Sequence, residues 1–142
     1  MKREIKFRGK AKKNGEWFFG NLFDEDTSGR THICTTKKGC LDINPDTVGQ
    51  FTGLLDKNGK EIYEGDVIEI MEIGGYGCKR KGVVEYDVDE CAFAVRVLSP
   101  SWADTVRLST KVQICADGNS TYEYINQYTV IGNIHDKKGG AE

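Results

Sequence analysis

Short hydrophobic runs, separated by polar clusters rich in Gly, Asn and Asp, recur along most of the chain. In the first run, Ile5 and Phe7 alternate with Lys6 and Arg8, a period of two that is typical of a strand with one solvated face. Further strand-like runs lie at 16–23, 31–36, 67–73, 82–86, 91–97 and 128–135. The pattern predicts a mostly β protein with short antiparallel strands, tight turns and little helix.

The segment 47–70 contains the clearest turn signals in the chain. Asn58-Gly59 predicts a two-residue type I′ hairpin turn, because Asn and Gly tolerate the positive φ that both central positions need. Gly53 and Gly65 are further candidates for positive φ or for close backbone approach. After Gly65, the β-branched run 67–70 begins the main sheet.

The strand-like runs beyond residue 66 follow the order of a meander closed by the last run. This order predicts small antiparallel β-barrels, with an SH3-like meander in the C-terminal half. The region 98–121 is read either as a short helix carrying Trp102 or as an irregular excursion. We expect one domain over 1–142, with N-terminal strands at 1–46, a turn-rich core stretch and barrel at 47–135, and a frayed tail at 136–142.

The charge of the chain limits the ways in which it can bind nucleic acid. The 142 residues carry a formal net charge of −2, which argues against binding through bulk positive charge. Residues 1–20 nevertheless hold seven Lys or Arg and two Glu, and 79–81 is a second basic cluster. These clusters form a basic face if folding joins them; the favoured reading is solvated strand edges that resist edge-to-edge pairing.

The five cysteines have an odd count and irregular spacing, and the chain shows no signal peptide or membrane-spanning apolar run. We therefore expect a cytoplasmic protein with reduced, small buried thiols and no membrane association. His32, Cys34 and Cys40 are an alternative set of zinc ligands. Their spacing lacks the paired short knuckles of structural zinc sites, so no metal and no cofactor are predicted.

Other candidate chemistry has simpler explanations. The residues 56–59 superficially resemble part of a calcium loop, but placing Gly59 at the sixth position of an EF-hand puts Leu54 at the first ligand position, so a turn is favoured. Asp87, Asp89 and Glu90 form an acidic cluster that fits an exposed turn as well as acid-base catalysis. His32 and His135 are the candidate bases at neutral pH, and neither has a recognisable partner motif. We expect that the protein is not an enzyme.

Aromatic residues near the second basic cluster suggest a binding surface. A groove for single-stranded nucleic acid combines cations with aromatic rings on which bases stack. Packing in the core or at a barrel rim is the alternative role of these rings, as it is for the nearby Tyr63. The candidate nucleic-acid or partner surface consists of Tyr76, Lys79, Arg80, Lys81, Tyr86 and Trp102.

Three segments resemble the YopX family of phage and prophage proteins. They are Arg-Glu-Ile-Lys-Phe-Arg at 3–8, the block 47–68, and Val-Ile-Gly-Asn-Ile at 130–134. They occur in family order across nearly the whole chain. The resemblance implies a small, mostly β protein encoded by tailed phages, prophages or related mobile elements, from a family with no established biochemical activity. The loop 74–77 and the region 101–121 depart from the family pattern.

The leading functional hypothesis is a non-enzymatic binding or assembly module in the host cytoplasm. Its expected partners are a second copy of the chain and an unknown phage or host protein. Self-association is suggested by the basic first strand and the run Trp17-Phe18-Phe19, which exposes apolar surface if one face is uncovered. The alternative is a nucleic-acid-binding accessory protein of phage replication or regulation, and an unrecognised enzyme is a third hypothesis.

Overall fold

The computed structural model describes residues 3–24, 27–74, 77, 79–99, 105–109, 111, 113–116 and 121–136. These residues form antiparallel β-sheets and one short 3₁₀ helix, with no α-helix among them. The predicted mostly β fold is confirmed. The chain divides into two compact units, Met1–Leu54 and Leu55–Glu142. The single domain over 1–142 stays a prediction.

The first unit is a sheet of short strands in the order β4-β3-β2-β1-β5. The 3₁₀ helix Pro45–Thr47 lies between the last two strands along the chain and buries Thr47. Thr47 Oγ1 accepts a hydrogen bond from the Lys10 N–H at 2.8 Å. The strand bounds are β1 Phe7–Lys10, β2 Trp17–Phe23, β3 His32–Thr35, β4 Gly39–Asp42 and β5 Gly49–Leu55.

One face of this sheet covers the core of the first unit. An isolated antiparallel bridge joins Ala11 to Ile43, and the Asn44 N–H donates to Lys10 O at 2.9 Å. These contacts bring the chain just beyond β4 against the end of β1. The core consists of Ala11, Phe18, Ile33 and Ile43, with Phe7, Leu22, Leu41 and Val48 packed against it.

The second unit contains a six-stranded sheet in the order β10-β9-β8-β7-β12-β11. The predicted meander is confirmed, since β8 pairs antiparallel with both β7 and β9. The closing strand β12 is longer than predicted and runs beside β7. The strands of this sheet are β7 Asp66–Gly74, β8 Lys79–Asp87, β9 Ala92–Ser99, β10 Thr105–Arg107, β11 Gln113–Ala116 and β12 Thr121–Asn133. The short strand β6, Glu61–Tyr63, precedes them in this unit and is not part of this sheet.

Some finer sequence predictions are not resolved by these strands. Neither strand order closes on itself within the described part of the chain, so the barrels and the SH3-like comparison stay predictions. In the region 98–121, the described residues include β10 and β11. The helix considered around Trp102, the loop residues 75–76 and the tail from 137 onward lie outside the described residues.

The alternation of β7 builds the core of the second unit. Asp66, Ile68 and Ile70 are buried, whereas the residues between them are partly exposed. A strand places every second side chain on the same face, so these three project to one side of the sheet. Fully buried partners from other parts of this unit are Ile62, Tyr63, Val84, Val95 and Tyr128.

The turn after β5 is built around the side chain of Asp56. Its Oδ1 accepts hydrogen bonds from the backbone N–H groups of Asn58 and Lys60, at 2.8 and 2.9 Å. Its Oδ2 accepts one from the Val130 N–H in β12 at 3.0 Å. The Lys57 N–H donates to Tyr128 O at 2.9 Å. The carboxylate therefore closes the turn and joins it to β12.

The predicted type I′ turn at Asn58-Gly59 is wrong. Gly59 has a φ of +83°, but Asn58 is not among the residues with positive φ. The Gly59 N–H donates to Asp56 O at 3.0 Å, and the Asp56 N–H donates to Lys60 O at 2.7 Å. This is a three-residue loop with a glycine bulge, which needs positive φ at only one position.

The second turn of the 47–70 block depends on Gly65 and Asp66. Gly65 has a φ of +88°, so its predicted positive φ is confirmed, as is that of Gly53 at +89°. The buried Asp66 accepts a hydrogen bond from the Tyr63 N–H through Oδ2 at 2.8 Å. Any residue other than Gly at position 65 strains the backbone, because residues with a Cβ rarely adopt this conformation.

Opposing effects act on the pKa of Asp56. Burial raises it, but hydrogen bonds from the Val130, Lys60 and Asn58 N–H groups and the charge of Lys60 lower it. The result is a pKa below the ordinary 3.8. The folded state therefore favours the carboxylate form.

We predict that Asp56→Ala lowers the free energy of unfolding by about 2–4 kcal/mol, because it leaves backbone N–H groups without their acceptor. Urea denaturation at pH 7 measures the change. Asp89→Ala is the matched control, since Asp89 lies at an exposed turn position, and it is expected to cost less than about 0.5 kcal/mol. Equal effects of the two substitutions would show that the Asp56 network is not stabilising.

The stability that Asp56 contributes is also expected to depend on pH. Because its folded pKa is lowered, the contribution is complete above the ordinary 3.8 and is lost as the pH falls through the lowered value. Asp56→Asn cannot titrate and serves as the reference. The difference in free energy of unfolding between wild type and Asp56→Asn should shrink below about pH 4. A difference that stays constant from pH 6 to pH 2 would contradict this assignment.

Candidate binding surface

The second basic cluster is divided between the two faces of β8. Lys79 and Lys81 are exposed, whereas Arg80 between them is only 9% exposed. Lys79 Nζ lies 3.5 Å from a carboxylate oxygen of Glu69. The charge of Arg80 lies close enough to Tyr128 to affect its pKa, which burial nevertheless raises above the ordinary 10.0. Arg80 is therefore part of the core.

The aromatic members of the predicted surface do not join this cluster. Tyr86 lies seven residues beyond Lys79 on the same strand, about 23 Å away at the usual rise. It is 45% exposed and packs edge-to-face on Phe93, with ring centroids 5.3 Å apart. Tyr63 is buried. Tyr76 and Trp102 lie outside the described residues. The surface proposed from sequence stays a prediction.

The two units differ in charge. Met1–Leu54 contains ten Lys or Arg and seven Asp or Glu, a net charge of +3. Leu55–Glu142 contains ten Lys or Arg and fifteen Asp or Glu, a net charge of −5. The excess of positive charge therefore belongs to the first unit, and Lys79–Lys81 belong to the acidic one.

Cations and aromatic rings share the face of the first sheet that points away from its core. The β1–β2 register places Lys10 opposite Trp17 and Arg8 opposite Phe19. The Arg8 guanidinium lies 4.4 Å from the Trp17 ring centroid, but Arg8 is only 7% exposed and is buried beneath its neighbours. The half-buried Lys10 has its Nζ 5.3 Å from the same centroid. Both distances fall within the range of cation–π attraction.

The alternation of β2 creates an aromatic stripe, which we define as Trp17, Phe19 and Phe23. Phe18, of the opposite parity, is buried in the core. Phe19 is 43% exposed and Phe23 is 53% exposed. The run Trp17-Phe18-Phe19 thus covers the core on one side and leaves aromatic surface on the other.

A cleft of about 300 Å³ lies beside one end of the stripe. One wall is the β2 segment at 17–19, and the other is the loop that joins β3 to β4. We call it the hairpin cleft. Lys37 and Lys38 in this loop are exposed, and neither forms an ion pair within the described part of the chain. Its lining residues are Trp17, Phe18, Phe19, Thr35, Thr36, Lys37 and Lys38.

Two interactions hold the loop wall of the hairpin cleft. The Lys38 N–H donates to Thr35 Oγ1 at 2.8 Å. A disulfide joins Cys34 to Cys40, which are opposite each other in the β3–β4 register with Cα atoms 4.0 Å apart. The expectation that these cysteines are small reduced thiols is therefore wrong. Their side chains are consumed in a covalent link across the hairpin.

Comparison with protein families decides the kinship of the chain. The family model described as YopX protein matches residues 6–138. The chain belongs to the YopX family. The resemblance seen in the three sequence segments is thus confirmed. Among curated proteins, no sequence matches this chain.

In this YopX-family chain, the three residues weighed as zinc ligands have other partners. Cys34 and Cys40 form the disulfide, and His32 Nδ1 lies 3.5 Å from Asp42 Oδ1. Within the described residues, no three His, Cys, Asp or Glu side chains are grouped so that they can hold a metal ion. Nor does the described part contain a helix long and apolar enough to cross a bilayer. The cytoplasmic location stays a prediction, and disulfides are rare in that compartment.

The acidic cluster lies at a second cleft, of about 410 Å³. Asp87 Oδ1 accepts hydrogen bonds from the Asp89 and Glu90 N–H groups, at 3.0 and 3.2 Å. Glu90 is engaged by Arg107, whose Nη2 lies 2.7 Å from Oε2. These contacts organise the turn between β8 and β9. Two of the three carboxylates therefore have structural partners.

The hairpin cleft was not predicted from the sequence. Period-two alternation in the run 16–23 places Trp17, Phe19 and Phe23 on one face, so the stripe was detectable. The two lysines of the β3–β4 loop look like an ordinary polar turn. Only the pairing of β2 with β3 places the loop beside the rings of the stripe.

We predict that the Cys34–Cys40 bond can be mapped directly in the intact protein. After lysis with iodoacetamide and no reductant, trypsin should release peptides 31–37 and 39–57 as one linked species that separates on reduction. Mass spectrometry measures this species. Alkylation of both cysteines before any reduction would contradict the disulfide. The exposed thiol Cys91 is the internal control, since it should be alkylated in the same sample.

Proposed function

We propose that this YopX-family protein is a non-enzymatic binding module of phage or prophage origin that acts through its first unit. The observation that carries the proposal is the aromatic stripe, whose Phe19 and Phe23 stay exposed, with the exposed lysines of the β3–β4 loop beside Phe19. Exposed aromatic surface beside charged residues is typical of interaction sites. Cytoplasmic action in the host cell is part of the same proposal.

The structural roles of three aspartates, among them the candidate acid Asp87, support a non-enzymatic function. Asp56 uses both carboxylate oxygens to accept backbone hydrogen bonds. Asp66 and Asp87 likewise accept hydrogen bonds from backbone N–H groups in their turns. Each of these contacts explains why an acid stands at that position without invoking a reaction.

The second unit serves as a scaffold in this proposal. The consecutive pairing of β7, β8 and β9, with β12 returning beside β7, supports the comparison with an SH3-like meander. Fold alone does not indicate a partner. The binding role is therefore assigned to the side chains of the first unit.

The exposed Phe23, at the end of the aromatic stripe, is a candidate contact for self-association. Phe23 extends beside His32, with ring centroids 6.5 Å apart. In a two-fold dimer the same patch lies on both subunits, so every substitution in it counts twice. We propose that Phe23 lies in a contact between two copies of the chain.

The second candidate function is a nucleic-acid-binding accessory protein. It is favoured by the net charge of +3 on the first unit and by the exposed Lys37 and Lys38 beside Phe19. An unidentified phage or host protein is a further partner that the sequence suggests. No particular contact in the described residues favours it over the other two.

We predict that light scattering coupled to size-exclusion chromatography gives about twice the 15.9 kDa chain mass for the wild type at micromolar concentration. Phe23→Ser should weaken the dimer at least tenfold, since it removes an apolar side chain from both sides of the contact. Val88→Ser is the matched control, because Val88 is an exposed apolar residue of the second unit. A monomeric wild type would refute self-association.

A further inference from the structure

We infer that the hairpin cleft binds single-stranded nucleic acid, with a base on Phe19 and phosphates at Lys37 and Lys38. The inference rests on the proposed function in that it takes the first unit as the binding part. This inference places the nucleic-acid surface in the first unit, and not at the second basic cluster, Lys79–Lys81 on β8, which we call the β8 cluster. The β8 cluster, with Arg80 in the core and Lys79 beside Glu69, has less free charge to offer.

The size and lining of the cleft suit a flat aromatic group. Its volume of about 300 Å³ is at the lower end of the range of small-ligand sites. Phe19 is 43% exposed at its wall, so a ring face or edge is accessible. Bases stack on such side chains with little sequence preference, because every base has a π-face. The cleft therefore suits one base stacked on Phe19.

The cations around the cleft are placed to meet phosphates. Lys37 and Lys38 lie at the opposite wall from Phe19 and have no ion-pair partner in the described ranges. Lys12 and Lys13 are also exposed, in the turn that leads into β2. The first unit carries a net charge of +3 and the second −5, so a polyanion is attracted by the first and repelled by the second.

The loop wall is held by a covalent link and a hydrogen bond within the protein. The disulfide closes the loop between Cys34 and Cys40, and the Lys38 N–H is held by Thr35 Oγ1. A loop that is ordered in the free protein loses less conformational freedom on binding. The backbone positions of Lys37 and Lys38 are thus set beside the aromatic wall.

The pairing of rings and lysines favours a single strand over other polyanions. In a duplex the base faces are stacked inside, so Phe19 cannot reach them without unpairing. An acidic peptide matches the lysines, but it meets Phe19 with a flat ring only if an aromatic residue stands at one particular position. A single strand offers both groups along one backbone, and this holds equally for DNA and RNA.

The test is fluorescence anisotropy of the full-length protein with a labelled 15-nucleotide single strand, measured as DNA and as RNA of one sequence, against the DNA duplex. We expect saturable binding at 50 mM salt, tighter for the single strands than for the duplex. The comparison of the DNA and RNA arms identifies the natural ligand class. No binding at 50 mM salt, or equal binding of duplex and single strand, overturns the inference.

Variants separate the two parts of the proposed contact. Lys37→Ala with Lys38→Ala should weaken binding at least tenfold and reduce the slope of log affinity against log salt by about 1.4. Phe19→Leu should weaken binding at least threefold without changing that slope, because stacking is lost and charge is kept. Lys79→Ala with Lys81→Ala is the matched control and should stay within twofold of wild type. An equal loss in the control overturns the assignment to the hairpin cleft.

A second readout does not depend on the lysine variants. In Trp102→Phe the remaining tryptophan is Trp17, which lines the cleft. Its fluorescence should be quenched on titration with the unlabelled single strand, in parallel with the anisotropy change. Binding without any change at Trp17 overturns the location. A monomeric wild type that binds the strand refutes self-association alone, whereas a dimer that does not bind refutes this inference alone.

Discussion

The carboxylate of Asp56 connects more of the second unit than any local sequence signal suggests. It accepts backbone hydrogen bonds from Asn58 and Lys60 in its own turn and from Val130, 74 residues away along the chain. The adjacent Lys57 N–H donates to Tyr128 O. Tyr128 in turn donates from its hydroxyl to Ser109 O at 2.8 Å. One turn is thereby linked to the last strand and to the segment that follows β10.

Asp56 and Asp66, both in the segment 47–70, each use a carboxylate to hold a backbone turn. A buried carboxylate is tolerated when its oxygens accept hydrogen bonds, and Asp56 and Asp66 meet that condition through backbone donors. In the function that we propose, binding is assigned to side chains that lie outside the cores. In the first unit these are the stripe on β2 and the lysines of the β3–β4 loop.

The candidate site was only partly predictable. The excess of positive charge in residues 1–20 and the aromatic run at 17–19 are visible in the sequence. The cluster 79–81 looks equally basic, yet β8 turns Arg80 into the core because adjacent residues of a strand face opposite ways. Lys37 and Lys38 become candidate binding residues only because the pairing of β2 with β3 places their loop beside Trp17 and Phe19.

The turn chemistry shows the same limit at a single residue. Asn58-Gly59 marks a turn from sequence alone, and a turn is there. Its type is different, because the Asp56 side chain holds the N–H groups of Asn58 and Lys60 and only Gly59 adopts positive φ. Asn58-Gly59 suits both a two-residue type I′ turn and a three-residue loop with a glycine bulge. The Asp56 side chain, which is also bonded to Val130 in β12, selects the three-residue loop.

The sequence by itself determined the mostly β fold class, the positions of several strands and turns, and membership of the YopX family, because period-two alternation and the conformational tolerance of Gly and Asn are local properties. It did not mark β5, which lies in the turn-rich segment 47–70. Only the tertiary structure decided which cations are buried, that Cys34 and Cys40 are joined, and which loop lines the cleft. Those outcomes depend on the register between strands distant along the chain. Register brings together side chains whose separation in sequence carries no sign of their contact.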